Sequence, residues 1–421
     1  MKSNRRSFLA GAGAIGASAY VSKYGFAWAQ ANQPIKIGGQ GALSGAHADY
    51  GRQMRMGATL AIEQINKAGG VLGRPLELNF VDEELKPAVA VRNVRQQVSD
   101  WGAHFLVGID SSGSAMAVGP VLAELNRICI FTHAATHRLT EELCYKGNVR
   151  QIFRASVPIY QDSILAAYIF AKRPEIKRWA NIGADYEYGR MSWAMFKHTL
   201  KKLRPDVEFV ADAWAPFQTL DFSGHVSAVM AAQPHGIFST PWAGEAIGLL
   251  RTALVMGVFE KAGVWWQAMG GSVDVLEGIA GQLDRFNNKL WGTGRYLFTW
   301  SEEKTQRLNT QFVEAFNVRW GRFPNYSAEC TYSAIYSIKM ACEKAKSIET
   351  ANVIKALEGM TIETPAGVRT YRPEDHQAVY PVPGGRAVKL PEYPIPVIGA
   401  DLAVYPTKEY YRWPPFEAIP T

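Results

Sequence analysis

The segment HFLVGIDSSGSAMAVGP, residues 104–120, holds an apolar run, a turn of Gly and Ser, and then a helical pattern. A strand, a small-residue turn and a helix N-terminus together make an anion site, because free backbone N–H groups and the helix dipole converge there. The turn has neither the GxxxxGK[ST] spacing of a P-loop nor the GxGxxG of a dinucleotide fold. Ser111, Ser112 and Ser114, with no lysine among them, suit a small carboxylate or amide better than a triphosphate. The same serines also satisfy the simpler role of a helix cap, and both readings stand at this point.

Other constellations give less. His133 and His137 are four apart at a strand end with no third ligand near in sequence, so they read as structural or ligand-facing and no metal is expected. The nearest approach to a nucleophile elbow, GSA after Ser112, lacks the GxSxG pattern. Asp110, Asp185 and Glu245 are carboxylates without the spacing of a reacting pair. Cys129, Cys144, Cys330 and Cys342 form no CxxC, and Cys330 and Cys342 fall on one predicted helix, too far apart to bridge. An oxidising compartment permits a disulfide without requiring one. Catalysis has no positive support, and no cofactor is expected.

The elements that must position these residues alternate. Strands are expected at 35–41, 76–82, 104–110 and 127–135, with helices at 51–67, 87–101 and 113–126 between them. A second series follows, with strands at 178–185, 207–214, 235–240 and 264–271 and helices at 158–172, 189–203, 221–232 and 243–256. Such alternation means parallel sheets covered on both faces, and two blocks mean two α/β domains. The break falls near QIFRASVP, 151–158; helices are expected at 303–320, 326–346 and 350–359, and the stretch from Thr361 has little periodicity. Ligands in sheets of this type bind beyond the carboxyl ends of the strands. That rule collects GALSGAHADYG (41–51), DSSGS (110–114), THAAT (132–136), DYEYG (185–189), TPWAGE (240–245) and GGSVD (270–274). Small, hydroxylated and aromatic residues of this kind suit a small polar solute held between two lobes. Adjacent Trp265 and Trp266 point to opposite faces, one to the core and one to the pocket.

The chain opens MKSNRRSFLAGAGAIGASAY. Arg5 and Arg6, then a short and weakly apolar run, then AWA at 27–29, predict a twin-arginine export signal cleaved after Ala29 or Ala31. No later stretch reaches the length of apolar sequence, about 18 residues, that a membrane span needs. A periplasmic location is expected. Removing residues 1–29 lowers the formal charge from +7 to +3, and no Lys/Arg block remains to suggest nucleic acid as a partner. About 390 residues exceed one typical core, which again favours two domains.

The stretch LSGAHADYGRQMRMGATLAIEQINKAGGVLGRPLEL, 43–78, closely resembles the N-terminal fingerprint of periplasmic leucine/isoleucine/valine-type binding proteins. The likeness continues through VGIDSSGS, FTHAATHRLT, IGADYEYG and DFSGHVSAVMAAQPHGIF. The resemblance implies a two-lobed type I periplasmic binding protein of an ABC importer, α/β throughout, each lobe a parallel-sheet sandwich, with several strands as the hinge. It places lobe 1 at 34–153 plus about 297–360, lobe 2 at 154–296 plus about 361–390, and a C-terminal tail at 391–421. Partners would be a small solute and the permease and ATPase subunits in the inner membrane, with the receptor itself a monomer.

Carried over by position, the solute carboxylate would meet the DSSGS turn at Ser111 and Ser112 and the hydroxyl and N–H of Thr136, with backbone help at Ala134 and Ala135. Tyr50 would wall the first lobe, and Tyr188 and Trp242 would close from the second. The amino-acid binders carry a carboxylate in the loop matching MGGSVD, to pair the substrate ammonium. Here that position is Ser272, or Gly271 in a shifted alignment, and Asp274 or Glu245 would have to substitute. An ammonium buried without a counter-charge costs several kcal/mol, so a non-amino organic acid, aromatic in view of the lining, is a serious contender. EDHQ at 374–377 also resembles members of the group with varied solutes. A periplasmic enzyme or redox protein and a ligand sensor remain the alternatives from other classes.

Overall fold

The computed structural model of the chain describes residues 33–419; Arg5, Arg6 and the expected cleavage positions Ala29 and Ala31 lie outside the described residues. The first block folds as β1 (Ile35–Gly41), β2 (Leu76–Asp82), β3 (Phe105–Gly108), β4 (Ile128–Phe131) and β5 (Ile152–Arg154), joined in the sheet order β2-β1-β3-β4-β5. Every pair is parallel, so each connection must cross over. Helices α1 (Ala48–Lys67), α2 (Pro87–Ser99) and α3 (Ser112–Leu125) make the first three crossings. β3 and β4, FLVG and ICIF, are buried on both faces, which is why they read as unbroken apolar runs.

The second block contributes β6 (Arg178–Ala184), β7 (Glu208–Ala215), β8 (Gly236–Ser239), β9 (Val264–Gln267) and β10 (Leu290–Thr293), all parallel. Its helices are α4 (Gln161–Ala171), α5 (Glu187–Leu203), α6 (Ser223–Ala231), α7 (Gly244–Val255), α8 (Val258–Lys261) and α9 (Val273–Ile279). After β10 the chain returns to the first lobe as α10 (Gln306–Trp320), α11 (Tyr326–Ala345) and α12 (Thr350–Leu357). Asn325 caps α11 by accepting from the N–H groups of Ser327 and Ala328. Helix α11 lies along α1, and Gly57 makes the closeness possible: a Cβ there would collide with the Ala328 carbonyl oxygen.

The last sixty residues depart from the sequence expectation. β11 (Thr361–Thr364), β12 (Gly367–Tyr371) and β13 (Ala378–Val379) form a separate antiparallel sheet. The resemblance assigns them to lobe 2, but they pack on the first lobe. Gln377 bridges to Arg154 at the end of β5, His376 stacks on Phe153 at 3.9 Å, and the buried Arg369 pairs with Glu329 of α11. Only β14 (Gly384–Val388) of that segment enters the second sheet, antiparallel to β10. The expected tail is not one either. β15 (Val397–Ala403) pairs with β14 and gives the order β15-β14-β10-β9-β8-β6-β7. A short helix, α13 (Thr407–Tyr410), then leads back to the first lobe, where Arg412 forks onto Glu141 at 3.0 Å through both nitrogens. These strands are illegible in the sequence because the sheet is irregular: register shifts near Arg386 break the period of two that sequence reading relies on.

The chain thus passes between lobes after β5, after β10, between β13 and β14, and again after β15. All four cysteines are buried free thiols. Trp265 and Trp266 do face opposite ways, but both are fully buried core residues and neither reaches the cleft.

Candidate functional site

A small cavity lies between the lobes, lined by Asp110, Ser112, His133, Ala135, Tyr186, Tyr188, Trp242, Met269 and Arg295. Each of these follows the carboxyl end of a parallel strand: β3 delivers Asp110 and Ser112, β4 His133 and Ala135, β6 the two tyrosines, β8 Trp242, β9 Met269 and β10 Arg295. The topology alone therefore assembles the site.

Arg295 dominates its electrostatics. The side chain is buried, with Nε donating to Oδ2 of Asp162 at 2.8 Å and Nη2 2.6 Å from the same oxygen. Nη1 donates across the cleft to the Tyr326 hydroxyl at 3.0 Å. Burial opposes the guanidinium charge, and Asp162 with the rings of Tyr326 and Tyr188 more than offsets it, so the group stays protonated. Its backbone is left-handed, φ 61°, a strained conformation for a residue with a Cβ, of the kind that gathers at functional sites. A guanidinium has five N–H donors. The internal bonds leave donors on both Nη atoms for a solute.

Asp110 is the one carboxylate in the lining, and the protein has already engaged it. Oδ2 accepts from the N–H of Ala42, and Oδ1 stands 2.5 Å from Nδ1 of His133. The turn that first suggested an anion site is filled by a carboxyl group of the protein's own. The N–H groups of Asp110 and Ser111 donate to Oε1 of Glu83, at 3.0 and 3.4 Å. Burial, reinforced by the neighbouring Asp110, pushes the Glu83 carboxyl up to about 8.

The residues named from sequence divide into three sets. Ser112, Ala135, Tyr188 and Trp242 line the cavity. Tyr50 stands behind the wall, buried, with its ring 4.8 Å from His133 and 5.1 Å from Trp242. The remainder are used elsewhere. Ser111 is the cap of α3, its hydroxyl accepting from the N–H of Ser114 at 3.0 Å, as the simpler reading of the turn had it. Ala134 spends its N–H on the Ile109 carbonyl and its own carbonyl on Ser156. Thr136 reaches across the cleft, donating its hydroxyl to Glu187 at 2.6 Å, while its carbonyl accepts from the buried Arg154. Ser272 donates to Asp274 at 2.5 Å, and neither lines the cavity. Burial raises Asp274 to about 7. Glu245 accepts from the N–H of Gln218 and lies 4.0 Å from His47, which is wedged between Phe217 and Trp242.

With this geometry in view, comparison with known proteins is decisive for the family. The sequence model described as periplasmic binding protein matches residues 34–389. The chain belongs to the periplasmic binding protein family. It is a periplasmic solute receptor and not an enzyme. Its relatives include the Leu/Ile/Val-binding protein homolog 3 of Brucella melitensis, 30% identical over 84% of this chain and 91% of that one. A solute-binding protein of an ABC transporter from Rhodopseudomonas palustris BisB5, solved with 3,4-dihydroxy benzoic acid, superimposes with a TM-score of 0.75 at 21% identity, covering 87% of this chain and 96% of that one. The branched-chain amino acid binding protein LivJ of Streptococcus pneumoniae, solved with isoleucine, gives 0.73 at 18% identity, over 89% and 99%. At these identities the two solved structures establish the shared two-lobed fold alone.

Sequence reasoning missed Arg295, and the reason is local. β10 is four residues, LWGT, after a long irregular turn, too short for a periodic signal. Without that strand its carboxyl end could not be searched. Asp110, His133 and Tyr186 lie inside the strand-end loops that the sequence collects, and His133, expected to be structural or ligand-facing, lines the cavity; Met269 falls just before its loop.

Proposed function

We propose that this receptor collects a small aromatic carboxylic acid and delivers it to an ABC permease. The observation that carries the reading is Arg295: a buried guanidinium facing a cavity walled by Tyr186, Tyr188 and Trp242. A carboxylate meeting it forms a charge-assisted, two-pronged contact. Ser112 adds a hydroxyl, and the aromatic walls suit a flat apolar body.

An α-amino acid, the solute in the names of the Brucella relative and of LivJ, is the second reading. It needs a free carboxylate for its ammonium. Asp274 and Glu245 do not line the cavity, and Asp110, which does, has Oδ2 accepting from Ala42 and Oδ1 2.5 Å from His133. The benzoic acid derivative held by the R. palustris protein has no such requirement. Calorimetry with benzoate, phenylacetate, leucine and phenylalanine tests the choice. Binding of the aromatic acids with loss of at least about tenfold in Arg295→Gln supports the reading; tight leucine binding with no response to benzoate overturns it.

Export follows the twin-arginine route in this proposal, with residues 1–29 as the leader. Replacing Arg5 and Arg6 by lysine together should leave precursor in the cytoplasm. Undiminished periplasmic protein would remove the assignment.

A further inference from the structure

We infer that His133 is a specificity-determining residue that accepts a hydrogen bond from a hydroxyl on the solute, so that the solutes are hydroxylated aromatic acids. The inference rests on the aromatic-acid reading and names its substrate class.

Two acceptors meet one nitrogen of the ring. Nδ1 of His133 lies 2.5 Å from Oδ1 of Asp110 and 3.2 Å from the Asp110 carbonyl oxygen. Facing acceptors only, Nδ1 carries the proton. In neutral imidazole that fixes the tautomer and leaves a lone pair on Nε2. Asp110 is itself pinned, since its other carboxylate oxygen accepts from Ala42 and its N–H donates to Glu83. The ring cannot turn away.

The faces of the imidazole are also occupied. Tyr50 packs with its centroid at 4.8 Å, Trp242 at 5.1 Å and Tyr326 at 5.1 Å, all tilted. His133 lines the cavity, and with Nδ1 committed, Nε2 is the polar atom it has left to offer. The ring's polar contacts with the described residues all run through Nδ1 and none through Nε2. An apolar solute closing over this atom would strip its water and return nothing. A hydroxyl donor restores the bond. A second carboxylate has no proton to give and would face Asp110. The cavity therefore asks for two different groups: an anion for Arg295 and a neutral donor for His133.

The test is calorimetry on the full chain with benzoate, 3-hydroxybenzoate, 4-hydroxybenzoate, 4-methoxybenzoate and leucine. We expect one hydroxybenzoate to bind at least about tenfold more tightly than benzoate. The methoxy compound, which keeps the oxygen but has no proton to donate, should gain nothing over benzoate. In His133→Phe the ratio between hydroxylated and plain acid should collapse to within about threefold, whatever the absolute affinities. Equal binding of benzoate and both hydroxybenzoates, or a methoxy compound as tight as the hydroxyl one, overturns the inference while leaving the aromatic-acid reading intact. Leucine binding without any benzoate binding overturns both. If His133→Phe does not fold, the methoxy comparison on the parent and the same ratio in His133→Leu, which also lacks an acceptor, decide the matter.

Discussion

Nη1 of Arg295, on the second lobe, donates to the hydroxyl of Tyr326, on the first, at 3.0 Å, and that hydroxyl donates on to the His133 carbonyl at 3.2 Å. One tyrosine thus ties the residue we assign to the solute carboxylate to the opposite wall of the cleft. The bond exists only when the lobes are together. It stabilises the closed arrangement of the two lobes, the state in which a hinged receptor holds its solute.

Tyr326→Phe keeps the ring and removes the link. A net hydrogen bond contributes about 0.5–1.5 kcal/mol, so affinity should fall roughly two- to tenfold. The loss should appear mainly as faster dissociation in stopped-flow fluorescence, because the closed state is what weakens. An unchanged dissociation rate would mean that the lobes are held by Thr136–Glu187 and the other cross-cleft contacts alone.

Arg295→Met leaves the buried Asp162 carboxylate without its partner. Breaking one side of a buried pair costs about 3–5 kcal/mol. Denaturant melts should show that loss in the single variant and substantial recovery in Arg295→Met with Asp162→Leu, which removes both charges. A double variant no more stable than the single one would place the instability in the backbone at position 295.

Glu83 gives a pH dependence with a definite sign. Its carboxyl titrates near 4.5 in an exposed chain and is raised to about 8 in the fold, by burial first and by Asp110 second. The unfolded chain releases this proton earlier, so stability falls as pH rises across that window. Asp274 and Glu245, each raised to about 7 by burial, act in the same direction. His47 and His376, lowered by burial to about 4 from 6.5, act oppositely, but only below pH 6.5. Between pH 6.5 and 8 the carboxyls act alone. Melting temperature should therefore drop over that range, and Glu83→Gln should flatten the drop by at least about 2 °C. A variant with an unaltered slope would show that Glu83 is ionised throughout.

Gly57→Ala tests the packing of the first lobe. The added Cβ would run into the Ala328 carbonyl oxygen, and backbone cannot step aside as a side chain can. Overpacking of this kind costs about 1–3 kcal/mol, which chemical denaturation resolves. Gly224, on α6 with open space around its Cβ position, is the control: alanine there should be neutral or mildly stabilising.

Amino-acid order by itself determined the two α/β blocks, because crossover helices and doubly buried strands impose periodicities that survive in any one sequence. It also determined the ring of loops at the strand ends, and with them Ser112, Ala135, Tyr188 and Trp242. What the hydroxyls and carboxylates of those loops do was decided by the tertiary structure. Ser111 and Ser112 are neighbours of one type, yet one caps its helix and the other faces the cavity. Thr136 and Asp274 were expected on a solute and are bonded within the protein. Glu83, twenty-seven residues before Asp110, fills the turn that looked like a ligand site. Periodicity reports which face of an element is buried; it does not report which partner from a distant strand arrives at that face. Arg295 marks the limit most clearly, since its role depends on Asp162, Tyr188 and Tyr326 meeting there, from two other segments of the second lobe and from the first. Charge and hydrogen-bond pairing across such distances is set by the folded geometry and not by the order of residues along the chain.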